Sequence, residues 1–127
     1  MSFADSVPSW VLPEDMAELV ESGETEAIRG VFQIFLEDTR LHLEELSQGV
    51  DSGDGHKVAR LAHTLKGGCA QVGAYRLSQI AAALEASGRE PRDWRILCGM
   101  LRAEFARVES QVLAHPILTG ESDDART

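Results

Sequence analysis

The feature that most constrains this chain is the spacing of apolar residues between His56 and Gly73. In HKVARLAHTLKGGCAQVG, Val58, Leu61, Ala62, Leu65, Cys69 and Val72 recur at intervals of three and four. That spacing predicts an amphipathic helix with one buried face. At roughly 100° per residue, His63 falls well off the stripe, on the flank toward water. Ala59 lies one turn before it, Lys66 and Gly67 one turn after it, and Ala70 two turns after it. The imidazole therefore stands in a clearing of small side chains with one cation beside it. Inside a helix, Gly67 and Gly68 each cost on the order of 1 kcal/mol relative to alanine. Stability given up beside an exposed histidine breaks a local rule, and such breaks mark functional sites.

The same period runs through the rest of the chain. A short helix is expected over 14–22, introduced by Pro13, acidic in its first turn and ended by Gly23. A long one follows over 25–50, with Ile28, Phe32, Phe35, Leu36, Leu43 and Leu46 as its apolar face. Asp51-Ser52-Gly53-Asp54-Gly55 reads as a loop in which Asp54 caps the histidine helix over 55–71, and Gly73 ends that helix in a left-handed turn. A further helix over 74–87 carries Leu77, Ile80, Ala81 and Leu84 and stops at Gly88. A last one opens at Pro91 and Asp93, carries Trp94, Leu97, Leu101, Phe105, Val108 and Val112, and closes at Pro116.

No segment alternates with the period of a strand. The fold class that results is all-α: an antiparallel up-down-up-down four-helix bundle with a short N-terminal capping helix. Residues 1–13 form an irregular lead, with Trp10, Val11 and Leu12 lying across one end. Residues 14–115 make the bundle, and 116–127 an acidic, disordered tail.

A chain of 127 residues suits one domain with one modest core, and 43% hydrophobic residues suffice to build it. The formal charge of -9 argues against nucleic acid and anionic membrane surfaces, which select basic patches. The N-terminal segment has no basic region followed by an apolar run, and no stretch approaches the roughly 20 apolar residues of a membrane span. Cys69 and Cys98 have neither a CxxC nor a zinc spacing, so both read as small buried hydrophobes in a reducing compartment, the cytoplasm. Neither Glu-x-x-His nor His-x-x-x-His occurs at helical spacing, so no metal site is expected.

His63-Thr64-Leu65-Lys66-Gly67, with Gly73 ten positions after the histidine, resembles the signature of histidine-containing phosphotransfer (HPt) domains, the intermediate phosphate carriers of multistep two-component relays. Phe32, Phe35, Leu36, Leu43 and Leu46 resemble that family's second helix, and the likeness spans about 19–113. The chain departs from the commoner family pattern at Gly68 and Cys69, where a serine often stands; the nucleophile and its lysine are unaffected.

The resemblance implies a phosphocarrier rather than an enzyme. His63 would accept a phosphoryl group at Nε2 from a receiver-domain aspartate and pass it to another receiver. Such a nitrogen must be neutral to attack, which imidazole chemistry allows at cellular pH. Lys66 would offset charge on the phosphoryl oxygens, and Gly67 would leave room for the partner. Glu85 occupies the position from which the family often holds Nδ1; a carboxylate there fixes the tautomer and makes Nε2 more basic. The implied partners are response-regulator receiver domains and a hybrid histidine kinase, meeting a monomer at Ala59, Ala70 and the apolar residues Met16, Leu19 and Ile28. The chain itself would hold no cofactor, magnesium being supplied by the receiver.

Two rivals stand beside this reading. The phosphoacceptor domain of a sensor kinase usually follows its histidine with an acidic residue, and here Thr64 follows. A helical adaptor would bind a signalling partner and transfer nothing.

Overall fold

The computed structural model describes residues 8–87 and 90–120. The expected stop at Gly88, the first seven residues of the lead and residues 121–127 of the tail lie outside the described residues. Among the described residues all regular structure is helical: α1 (Glu14–Glu21), α2 (Thr25–Ser52), α3 (Gly55–Gln71), α4 (Tyr75–Ala86), α5 (Pro91–Ala114) and α6 (Pro116–Thr119). Helices α2 to α5 pack in sequence, and α5 returns against α2 to close a four-helix bundle. Helix α1 lies on α2, and α6 wedges between α2 and α5.

The apolar stripes meet in one core. Phe32 and Leu46 from α2, Leu61 from α3, Leu77 and Leu84 from α4, and Leu97 and Leu101 from α5 are all essentially inaccessible. Each such side chain contributes about 1.5–3 kcal/mol through loss of apolar surface from water. Trp10, Phe32, Phe35 and Phe105 form an edge-to-face series with ring centroids 5.3, 6.4 and 6.5 Å apart. Cys69 is 1% exposed, and burial pushes its thiol up to about 12, so it packs rather than reacts.

Local chemistry sets the turns. The Asp54 side chain caps α3 by accepting from the Lys57 N–H at 3.1 Å. Gly73, at φ +87°, turns the chain from α3 into α4. There the lead crosses: the Val11 N–H donates to the Gly73 carbonyl at 3.2 Å, and the Trp10 indole N–H to the Val72 carbonyl at 2.8 Å. A Cβ at position 73 would lie 1.9 Å from the Val11 oxygen, so the crossing requires glycine twice over.

Two features correct the sequence reading. The tail does not begin at 116. Pro116 ends α5 but opens α6, because its fixed φ suits a first helical position. His115 accepts from the Ile117 N–H at 3.1 Å, and Ile117 sinks to 2% exposure in the core. Arg29 of α2 secures the turn by donating to the Ile117 carbonyl at 2.6 Å. Second, α5 buries a carboxylate that no period revealed. Glu104 is 1% exposed, with Arg107 Nη1 at 3.1 Å and Arg76 Nη1 of α4 at 3.7 Å. It links α4 to α5 electrostatically.

Candidate functional site

His63 projects from the middle of α3 with its side chain 69% exposed. The core stripe explains this: Leu61, Ala62 and Leu65 commit the opposite face of α3 to the bundle and leave position 63 outward. Ala59, Gly67 and Ala70 are exposed around it. A methyl group added at Gly67 or Gly68 would meet nothing within 4 Å. Among the described residues nothing therefore demands glycine at either position, and the open space lies on the outer face of α3. Thr64 turns its hydroxyl back to the Arg60 carbonyl at 3.1 Å and leaves the histidine's surroundings to Lys66 and α4.

Helix α4 brings the fourth element of the site. The Ser78 hydroxyl donates to the Lys66 carbonyl at 2.8 Å, fixing α4 along α3. Two turns further, Glu85 reaches both His63 and Lys66 of α3. Its Oε2 lies 2.8 Å from His63 Nδ1 and its Oε1 lies 2.7 Å from Lys66 Nζ. Hydrogen bonding from Lys66 first, and from His63 second, holds the Glu85 carboxyl below the usual carboxylate range; partial burial opposes them. An ionised carboxylate only accepts hydrogen bonds, so Nδ1 is the protonated ring nitrogen and Nε2 presents its lone pair outward. Among the described residues Nε2 has no partner.

The arrangement is an exposed imidazole held at Nδ1, an anion behind it and a cation behind the anion. Lys66 is thus engaged with Glu85 rather than standing free beside the ring.

The candidate docking residues divide. Ala59, Ala70 and Leu19 are exposed, Leu19 at 46%, whereas Met16 packs half-buried against the core. Ile28 is a correction: at 4% exposure it belongs to the core, one turn before Phe32 on the same stripe, and offers a partner no surface. Val31 and Ile34, absent from the sequence-derived set, are 39% and 60% exposed. They border a groove of about 260 Å³ between α2 and α3, whose floor includes Phe35 and Leu65 and whose rim includes Thr64 and Gly68. Their signal lay in the sequence: both sit off the Ile28–Phe32–Phe35 stripe and are large and apolar nonetheless. Among the described residues no group of three His, Cys, Asp or Glu side chains could hold a metal ion.

Comparison with known proteins adds to this geometry. Residues 30–111 match the family profile described as the Hpt domain. The fold is similar to that of histidine-containing phosphotransfer protein B (HptB) from Pseudomonas aeruginosa PAO1. That likeness has a TM-score of 0.72 at 24% identity, over 84% of this chain and 93% of that one. No curated protein matches the chain.

Proposed function

The chain belongs to the Hpt-domain family, which makes it a histidine phosphocarrier of two-component relays, and we propose that His63 is the residue that carries the phosphoryl group, at Nε2. One observation supports this above the rest. The ring is exposed, its Nδ1 is held by Glu85 at 2.8 Å, and its Nε2 faces solvent. A phosphoaspartate can then be attacked in line by a lone pair already oriented for it.

The transfer needs a second protein to come within bonding distance of that nitrogen. The clearing at Ala59, Gly67, Gly68 and Ala70 supplies the space. The groove bordered by Val31 and Ile34 supplies apolar area for a receiver domain beside it, with Leu19 and Met16 as more distant candidates. The receiver contributes the aspartate and the magnesium ion, and this chain contributes the histidine and the groups that orient it. We take the phosphotransfer domain to be the bundle from residue 14 to 115, with α6 as its closing turn. It acts as a monomer between a hybrid histidine kinase and response-regulator receivers in the cytoplasm. No helix among the described residues is long and apolar enough to cross a membrane.

Incubation with a phosphorylated receiver tests the assignment. An acid-labile, base-tolerant label is expected on the chain and is expected to vanish in His63→Gln. A label that persists in that variant moves the site elsewhere. No label on the unaltered chain would leave an adaptor that binds without transfer.

A further inference from the structure

With Lys66 drawn to Glu85, the cation left open beside His63 is Arg60. We propose that Arg60 grips the phosphoryl oxygens once the group is on Nε2 and stays on them while it crosses between proteins. This deepens the phosphocarrier reading and rests on His63 being the phosphorylated residue.

Arg60 and Lys66 stand three positions before and three after the histidine. At roughly 100° per residue they flank it by about 60° on opposite sides of α3. Lys66 is on the side toward α4, where its Nζ lies 2.7 Å from Glu85 Oε1. Arg60 is on the side toward α2, since Thr64, further round in that direction, lines the α2–α3 groove. It therefore stands between the ring and the groove offered to the receiver. Side chains on an α-helix lean toward its N-terminus, so the His63 ring lies over the turn of Ala59 and Arg60 rather than over that of Lys66. Residues three apart have Cβ atoms about 5–6 Å from one another, within the span of an arginine side chain.

Arg60 is exposed, and among the described residues its guanidinium makes neither a hydrogen bond nor an ion pair. The positions three and four away from it on either side are His56, Lys57, His63 and Thr64, none of them acidic. Acidic residues outnumber basic ones 21 to 12 in this chain, so carboxylates to pair with are plentiful, yet Arg60 stands apart from them. Its charge is left for something outside the fold.

The transfer supplies that something. On loading, the Nε2 lone pair attacks phosphorus, the P–O bond to the receiver's aspartate breaks, and its electron pair returns to the aspartate carboxylate. On unloading, an aspartate oxygen attacks phosphorus, the P–Nε2 bond breaks, and its electron pair returns to Nε2. In both directions negative charge spreads over the equatorial oxygens of the moving group. A guanidinium meets two such oxygens with parallel N–H bonds, whereas an ammonium acts as a point charge.

Arg60→Met removes the charge and keeps an unbranched side chain at an exposed helix position. The chain is loaded with phosphoramidate, and the last ionisation of the phosphoryl group is followed by 31P NMR against pH. Ring 15N labelling separates the imidazole's own titration. In Arg60→Met that ionisation is expected about half a pH unit higher, about threefold in the equilibrium, because the dianion has lost its cation. Arg60→Lys should restore most of the shift, and Lys66→Met should move the midpoint far less than Arg60→Met does. At saturating receiver, transfer in either direction should slow by about tenfold in Arg60→Met, with little change in the receiver concentration that half-saturates it.

Coincident midpoints for the unaltered chain and Arg60→Met would overturn the proposal, as would a shift in Lys66→Met equal to or larger than that in Arg60→Met. A loss confined to the half-saturating concentration would overturn it too, leaving Arg60 a docking contact. No phosphoryl signal on the unaltered chain, or one that survives in His63→Gln, overturns the assignment of His63 instead.

Discussion

Gly67 and Gly68 lie inside a helix, in ordinary helical conformation, with open space where a side chain would go. Each weakens α3 without easing any internal contact. Replacing Gly67 with alanine is expected to raise stability by about 0.5–1 kcal/mol, since the substitution reduces backbone freedom only in the unfolded chain. Glutamine at the same position should leave the thermal midpoint at or above that of the unaltered chain yet slow transfer at least tenfold by filling the partner's approach. Melting curves and single-turnover transfer on both variants check the pair. A Gly67→Gln chain that transfers at full rate would show that the clearing is incidental. The Glu85 carboxylate belongs to the same scale. Its depressed titration means that its interactions are present above the ordinary carboxylate range and lost as pH falls through the lowered value.

At the scale of elements, the α3–α4 turn and the α5–α6 junction carry the consequences. Gly73 combines a left-handed backbone with the crossing of Val11. Gly73→Ala is expected to destabilise the domain by about 2 kcal/mol, the strain of a non-glycine residue there plus displacement of the lead. Denaturant unfolding measures it, and a change below about 0.5 kcal/mol would contradict the crossing.

His115 behaves in the opposite sense to most histidines. Burial lowers its pKa, and its neutral Nδ1 accepts from the Ile117 N–H. The unfolded chain therefore takes up the proton first. Stability is intact above the ordinary histidine value of about 6.5 and is lost as pH falls from there toward the lowered native value. His115→Gln should flatten the stability-versus-pH curve between pH 7 and 5, as read by thermal melts across that range.

Over the whole molecule, the domain's limits follow from burial. A chain ending at His115 gives up the burial of Ile117 and its bond to Arg29, and should lose about 1.5–3 kcal/mol. A chain ending at Gly120 keeps both contacts; equal midpoints for the two truncations would make α6 an ornament of the bundle.

How far the sequence was legible varied with the kind of question. The period of Val58, Leu61, Leu65 and Cys69 placed α3, fixed His63 on its outer flank and marked the glycines, because each residue's angle around a helix depends only on its position. Glu85 came from a family likeness, not from spacing. Ile28 read equally well as surface or core, and Val31 and Ile34 passed unremarked, because a periodic stripe has edges that only a neighbouring helix defines. Ile117 and Leu118 looked like the start of a tail because four residues are too few to show a period.

The amino-acid order by itself determined an all-helical chain, its turns at Gly53 and Gly73, and a histidine kept out of the core. Those are properties of local backbone preference and of one face being apolar. That Glu85 holds His63 and Lys66 together, that Glu104 is buried between α4 and α5, and that α6 closes the bundle were decided by tertiary packing. Side chains far apart in sequence meet only where the depth and angle of helix contact bring them within about 3 Å, and no local pattern encodes those.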